Sequence, residues 1–229
     1  VENGKVTAVA AGKATITAKA GDKTAACAVT VKEALTEGTD FDALVSDKVT
    51  EDEWKAAFSE SAFANATIES LGQTIGYLKI QENIRYMSAK HEGYEDTIYG
   101  YFVEEGEQRF IYMSEDGESF IEYPEDEEML DELYFSFKLL CPDFSLNYAE
   151  FTYDEESGAY VCDRTILSNP PLEKYDDFPY TNISIKIIDG KLAVIVCDRV
   201  EYDEHYEFHM YDYGKTEITP PAIIENNVA

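Results

Sequence analysis

The sequence predicts an α+β protein, with a short all-β segment followed by a curved antiparallel sheet packed on two main helices. Apolar residues alternate with period two along most of the chain, but switch to helical spacing near 51–64 and again after Pro124. Composition also changes abruptly between Glu33 and Thr39, which marks a domain boundary. The 229 residues suffice for one or two domains, since domains usually run ~100–200 residues.

Eighteen basic residues against 47 acidic ones give a net charge of −29, which excludes nucleic acid and anionic membrane surfaces as partners, because both need a basic patch. No apolar run approaches the ~20 residues of a membrane span. At 45% hydrophobic and 13% aromatic residues, the chain is too rich in core formers to be disordered.

Residues 1–33 carry five Lys against Glu2, Asp22 and Glu33, a net of +2, leaving 13 basic and 44 acidic residues, or −31, for the rest. In this first segment Val6, Val9, Ala14, Ile16, Ala18, Cys27, Val29 and Val31 fall mostly on alternate positions. Breaks at Asn3-Gly4, Ala11-Gly12 and Gly21-Asp22 divide it into three short antiparallel strands, too few to close a core.

The stretch from Asn3 to Gly12, with Ala14-Thr15-Ile16-Thr17-Ala18 and Cys27-Ala28-Val29-Thr30-Val31, resembles the closing half of a group 2 bacterial immunoglobulin-like (Big2) domain. That resemblance implies a partial β-sandwich over 1–33, a linker over 34–44 and a separate domain over 45–229. It also implies a spacer or adhesin module on secreted or surface proteins of bacteria, with no catalytic residues, and a piece cut from a longer protein. An unpaired strand edge and half a core would result. Residues 1–33 are thus expected to pair with another chain, to pack on the second domain, or to be less ordered than the rest. Cys27 falls on a buried position of that pattern and reads as a free thiol.

In the second domain Thr50-Glu51-Asp52-Glu53 has the form of a capping box, and Trp54, Ala57, Phe58 and Ala62 follow at helical spacing, so a helix is expected over 51–64. Pro124 opens a second helix. Acids at 125–128 suit its positive end, and Met129, Leu130, Leu133, Tyr134, Phe137 and Leu140 form an apolar stripe before Pro142. Strands are expected near 67–80, 83–91, 96–104, 108–114, 118–123, 146–153, 159–166, 181–188, 191–200 and 204–213. Asp189-Gly190 is a two-residue hairpin turn; pairing across it sets Ile183, Ile185 and Ile187 beside Leu192, Val194 and Val196, with Lys186, Lys191, Ala193 and Cys197 on the other face.

Trp54, Asn65-Ala66-Thr67, Ala159-Tyr160, Asp189-Gly190-Lys191-Leu192 and the ending from Tyr211 to Pro220 resemble the pattern of LolA-like and LppX-like bacterial lipoproteins, over about 45–221. The resemblance implies an incomplete barrel around a cavity for acyl chains or another apolar ligand. No ligand set transfers residue by residue, because such cavities are lined by generic apolar side chains. The stripe residues Trp54, Phe58, Leu133 and Phe137, with Tyr175, Phe178 and Tyr180 from the irregular 169–180 segment at the rim, are the expected contacts.

Other chemistry is sparse. If 204–213 is a strand, His205, Glu207 and His209 share one face, and they are the donor types that bind zinc. Same-face neighbours on a strand lie ~7 Å apart, a poor fit to a tetrahedral ion, so no metal is expected there. The acidic runs Glu125–Glu128 and Asp203-Glu204 lack the spacing of a calcium loop. Gly-x-Ser-x-Gly, a phosphate-binding Gly-rich loop and His-Glu-x-x-His are all missing, and no cofactor is expected. The four cysteines lack metal spacing; Cys162 and Cys197, both on non-core faces in this reading, are the pair open to a disulfide.

Of the 17 Tyr, those at 99, 101, 148, 175, 180, 202, 206, 211 and 213 are read mainly as half-buried strand residues, and secondly as a stacking platform for sugars. The function expected is that of a non-enzymatic secreted or cell-surface protein of a Gram-positive bacterium. A Big2 spacer would present a domain that binds an apolar small molecule or a protein partner. A glycan-binding adhesive domain built on exposed Tyr is the first alternative, and a hydrolase working through two carboxylates is the second.

Overall fold

The computed structural model describes residues 5–7, 12–61, 64–81, 84–90, 97–105, 108–122, 142–167, 179–200 and 204–219. The chain divides into two compact units, 1–35 and 36–229.

The first unit is a hairpin of β1 (Gly12–Ala20) and β2 (Lys23–Val31). Gly21, at φ 60°, takes the first turn position, where the twist of the strands demands a left-handed residue. Ile16 pairs with Cys27, so Ala14, Ile16, Ala18, Ala25, Cys27 and Val29 share one face, while Lys13, Thr15, Thr17, Lys19, Thr24 and Thr30 share the other. Of the three strands expected, the first is represented only by an isolated bridge at Lys5, and residues 8–11 lie outside the described residues. Cys27 is exposed and not disulfide-bonded, rather than buried, because a two-stranded ribbon has no second layer of its own to cover its apolar face.

In the second unit, α1 (Glu51–Glu60) is followed by β3 (Asn65–Ser70), β4 (Gln73–Gln81), β5 (Ile84–Lys90), β6 (Thr97–Glu105), β7 (Gln108–Ser114) and β8 (Ile121–Glu122). After a single 3-10 turn at Tyr148–Glu150 come β9 (Thr152–Asp154), β10 (Ala159–Cys162), β11 (Ile166–Leu167), β12 (Pro179–Ile188), β13 (Lys191–Arg199) and β14 (Glu204–Tyr211). They form one twelve-stranded antiparallel sheet in the order β8-β7-β6-β5-β4-β3-β14-β13-β12-β10-β9, with β11 beside β12. Two runs of hairpin-linked neighbours are joined where β14 returns to pair with β3, setting Phe208 opposite Ile68 and Met210 opposite Ala66.

This corrects the expected fold class. Among the described residues the unit is mostly β, with one helix of seven residues or more, and the sheet is not packed on two main helices. The helix expected after Pro124 lies outside the described residues, as do Leu133 and Phe137. The physical reason is that α1 buries only Trp54, Ala57 and Phe58, and an irregular aromatic segment supplies the next part of the layer. Phe144 and Phe151 are buried on the same cluster as Trp54, Ile68, Leu78, Ile185, Ile195, Phe208 and Met210. A segment without period gives periodicity nothing to detect. No helix among the described residues is long and apolar enough to cross a membrane.

Helix α1 starts as the capping box predicts: the Glu53 amide donates to Thr50 Oγ1 at 3.4 Å and the Thr50 amide donates to Glu53 Oε2 at 2.8 Å. Trp54 is wholly buried, its ring centroid 4.9 Å from Phe151 and 5.3 Å from Tyr160. Its Nε1–H donates to the Phe144 carbonyl at 3.0 Å, which ties helix to irregular layer.

Two details differ from the alternation read in the sequence. The stretch 67–80 is two strands, because Leu71 (φ 51°) and Gly72 (φ 72°) form a two-residue turn with both residues left-handed. Asp189 (φ 57°) and Gly190 (φ 74°) repeat that geometry. Past the second turn the register shifts between Lys186 and Ile187, so Ile185 faces Ile195 and Lys186 faces Val194. One inserted residue flips every later side chain. Ile195 and Cys197 therefore join the core in place of Val194 and Val196. Cys162 is in that core as well, and neither of the two is in a disulfide.

Residues 36–50 run along the sheet. Ser46 fixes them: its amide donates to Gly158 O at 2.7 Å, and its Oγ accepts the Ile187 amide at 2.9 Å. Gly158, at φ 62°, permits the approach, since a Cβ there would stand 2.9 Å from Val45 Cγ1. Tyr153 donates to Ser46 O at 3.0 Å and Tyr148 to Val49 O at 2.8 Å, so phenols whose rings pack against the core hold this strap by its backbone.

Truncating Trp54 to Ala is expected to cost about 3–5 kcal/mol of unfolding free energy, and Trp54→Phe about 1–3 kcal/mol, chiefly through the orphaned Phe144 carbonyl. Urea denaturation followed by far-UV circular dichroism measures both, and a loss below about 1 kcal/mol for the Ala variant would contradict this packing.

Candidate functional site

Alternation along β14 divides its residues between two environments. Phe208 and Met210 enter the core, while His205, Glu207 and His209 project from the opposite, outer face. The neighbouring strands add carboxylates to that face, because Asp198 of β13 pairs with His205 and Glu69 of β3 pairs with Glu207. The result is a row in which acids and imidazoles alternate: Asp198, His205, Glu207, His209, Glu69.

The two ends of the row differ. His205 Nδ1 lies 2.6 Å from Asp198 Oδ1 and its Nε2 lies 3.2 Å from Glu207 Oε1, so both ring nitrogens face carboxylates at hydrogen-bond distance. Burial alone would lower the pKa of this imidazole, but hydrogen bonds to Asp198 and Glu207, and their charges, outweigh it and hold the pKa above the ordinary value. Asp198 is perturbed in the complementary sense. Burial would raise its pKa, yet the Asn182 amide, donating at 2.6 Å, and His205 bring it below the usual carboxylate range.

His209 has no such bonds. Its Nδ1 stands 3.5 Å from Glu69 Oε1 and its Nε2 stands 3.7 Å from Glu207 Oε2, and Nε2 is buried without a hydrogen-bond partner. The Phe41 ring lies flat on the imidazole, with centroids 4.6 Å apart and planes 4° from parallel. Phe41 belongs to the strap, which Lys186 anchors by donating to the carbonyls of Phe41 at 3.2 Å and Asp42 at 2.9 Å.

Strap and sheet border an open pocket of about 480 Å³ on this face. Glu37, Thr39, Asp40, Phe41 and Asp42 line it from the strap, Thr67, Glu69, Gly72, Thr74 and Tyr77 from β3, β4 and their turn, and Glu207 and His209 from β14. Five of these residues are acids and none is Lys or Arg. Glu69 and Glu207 are direct cross-strand partners, a like-charge pair that ordinarily destabilises a sheet.

The residues singled out in the sequence are distributed as follows. Trp54, Phe58 and Tyr180 are all buried in the aromatic core, Tyr180 edge-on to Phe144 at 5.6 Å. Tyr175 and Phe178, like Leu133 and Phe137, lie outside the described residues. His205, Glu207 and His209 do share one face, with Glu207 between the two imidazoles. No group of three or more His, Cys, Asp or Glu with the geometry to hold a metal occurs among the described residues. Among the Tyr candidates, 101, 180 and 211 are buried and 99, 148, 206 and 213 half-buried, while 175 and 202 lie outside the described residues.

Sequence reasoning missed Phe41, Glu69 and Asp198 as members of this face. The strap reads as linker, and the β3–β14 pairing joins segments too distant for any local pattern to connect. The alternation Asn65, Thr67, Glu69 was the one available sign that β3 turns a polar face outward. Neither a scan against protein-family models nor a search of the curated proteins finds a match to this chain.

The raised pKa of His205 makes a signed prediction. A group whose pKa is higher folded than unfolded stabilises the fold fully below its unfolded value, here near 6.5, and loses that contribution as pH rises through the folded value. The thermal midpoint of the native chain should therefore exceed that of His205→Asn most at low pH, with the gap closing above about pH 6.5. Differential scanning calorimetry across pH 5.5–8.5, a window of roughly that unfolded value and its flanks, checks this, and a gap that widens with pH would contradict it.

Proposed function

We propose that the 36–229 unit is a non-enzymatic binding module of a secreted or cell-surface protein of a Gram-positive bacterium, with the preceding immunoglobulin-like segment as its spacer. It engages a partner through the strapped outer face of its sheet. One observation carries this reading. The pocket between strap and sheet is polar and opens on the outer face, whereas the inner face is occupied by Trp54, Phe58, Phe144 and Phe151 packed directly on the strands. Ligand sites are concave and display a few convergent polar groups, which describes the outer face.

The non-enzymatic part is supported by what surrounds the one acid-imidazole pair. Asp198 orients His205 as the acid of a catalytic triad would, but the second ring nitrogen faces Glu207, an acceptor, where a nucleophile's hydroxyl or thiol would stand. A sugar platform is not favoured either, since none of the described Tyr candidates presents a fully exposed ring.

Native mass spectrometry of the intact chain, run beside a lipid-extracted control, is expected to give the apo mass in both samples. A retained acyl-chain adduct would place the site inside the sheet and overturn this reading.

A further inference from the structure

We infer that residues 36–42 form a pH-sensitive latch on the outer face of the sheet, seated when His209 is an imidazolium and released when His209 is neutral. The latch is a property of the strap's own conformation, so it goes beyond the binding-face reading and does not rest on it. Residues 36–42 meet the sheet through the Phe41 ring, stacked on His209 at 4.6 Å, and through Lys186, which donates to the carbonyls of Phe41 and Asp42. Farther along, Ser46 is bonded to Gly158 and Ile187, and the phenols of Tyr148, Tyr153 and Tyr160 bond the backbone of Ser46 and Val49. None of those bonds involves His209. A change at the imidazole therefore acts on 36–42 and leaves 46–49 as the pivot.

Strap and sheet bring charge of the same sign to either side of the cleft. Glu37, Asp40 and Asp42 border it from the strap, Glu69 from β3 and Glu207 from β14, and among the described lining residues His209 is the one base. Lys186 lies on the same row of the sheet, whose order is Lys186, Val194, His209, Thr67 and Tyr77. Two strand spacings of ~4.8 Å separate its backbone from that of His209. The other polar neighbours on this face, Thr67, Tyr77 and Tyr211, bear hydroxyl groups.

The two forms of the imidazole treat these neighbours differently. An imidazolium donates from both nitrogens, so Nδ1–H faces Glu69 Oε1 at 3.5 Å and Nε2–H faces Glu207 Oε2 at 3.7 Å. Its positive ring then lies flat on Phe41 as a cation–π contact. A neutral imidazole turns a lone pair toward one of the two carboxylates, gives up the cation–π attraction and leaves the acids of strap and sheet to repel each other. Glu37, Asp40 and Asp42 are exposed, so water and salt weaken their share, whereas the Glu69 and Glu207 side chains are only 27% exposed and His209 is buried. The contact of Phe41, His209, Glu69 and Glu207 thus decides the position of the latch. Glu207 is itself held from the other side, because its Oε1 lies 3.2 Å from His205 Nε2, while Asp198 lies 2.6 Å from His205 Nδ1. Burial would lower the pKa of His205, but these two carboxylates raise it above the ordinary value, so Glu207 keeps a charged partner beyond the usual imidazole range.

The test uses the intact chain and two readouts. NMR of the His209 ring carbon and proton, assigned from the signals lost in His209→Gln, gives the pH at which this imidazole titrates. Hydrogen exchange with mass spectrometry, corrected for the intrinsic pH dependence of exchange, gives the protection of amides 36–44, among them that of Leu44, which donates to the Phe41 carbonyl at 3.3 Å. Between about pH 5.5 and 8.5, the range that brackets an ordinary imidazole, this protection should fall roughly threefold or more in step with the deprotonation of His209, the size expected of one cation–π contact. The amides of Ser46 and Asp47, bonded to Gly158 and Ile187, should not follow it. His209→Gln, uncharged at every pH, should keep 36–44 at low protection throughout. Phe41→Leu, which retains an apolar cover but loses the ring, should leave His209 titrating and shrink the fall. Protection of 36–44 that stays constant while His209 titrates in the native chain would overturn the inference, as would a fall of native size in His209→Gln. Should His209→Gln not fold, an undiminished fall in Phe41→Leu overturns it equally.

Discussion

The pairing of β14 with β3 is the constraint on which the rest of the second unit depends. Every other neighbouring pair on the sheet's main path comes from within one half of the unit, but this one joins its two ends. It sets Phe208 and Met210 beside Ile68 and Ala66, so the two halves share one buried layer, and α1 can cover both with Trp54 and Phe58. The same register, read on the other face, places Glu207 against Glu69 and His209 against Thr67. Because side chains alternate across a strand, core and pocket cannot be adjusted separately. A one-residue slip would bring the histidines into the aromatic layer and turn Phe208 and Met210 out to solvent. Pairing of such long range must overcome loop-closure entropy before its contacts form.

The strap depends on that sheet in turn. It has no regular structure of its own, and its position is set by single bonds: Ser46 to Gly158 and Ile187, Lys186 to the carbonyls of Phe41 and Asp42, and the phenols of Tyr148, Tyr153 and Tyr160 to the backbone of 46–49. This accounts for part of the abundance of Tyr. An aromatic ring can pack in the core while its hydroxyl satisfies backbone that would otherwise be buried unpaired.

What the sequence made legible was local. The capping box at Thr50–Glu53, the left-handed turn at Asp189-Gly190 and the common face of His205, Glu207 and His209 each follow from a few adjacent residues, and each is present. Illegible features had no local signature. Leu71 gives no sign that it adopts a left-handed turn, since Leu rarely does, so two strands read as one. The bulge beyond Asp189-Gly190 changes which side of β13 is buried, and alternation carries no record of an inserted residue in an apolar run where both faces are well buried. The aromatic layer over 142–151 is aperiodic, and its burial depends on partners far along the chain. Half of the pocket was hidden likewise, because Glu69 and Phe41 meet β14 only through tertiary structure.

The acidity of the chain takes on meaning only when its carboxylates are separated by what they do. Glu53 closes the helix cap, Asp116 and Asp154 accept the amides of tight turns, Glu204 meets Arg199, and Asp198 holds His205. In each case a positive or donating partner stands beside the acid, and local chemistry agrees with the fold. Glu69 and Glu207 are opposed directly by the register, with His209 3.5 Å from the first and 3.7 Å from the second and His205 at hydrogen-bond distance from Glu207. Sequences that specify a fold are consistent at every level, and the exceptions they retain concentrate where structure is subordinated to binding or catalysis. Here the like-charge pair lies at an open pocket beside the strap. That cross-strand opposition separates Glu69 and Glu207 from the acids that cap helices and turns.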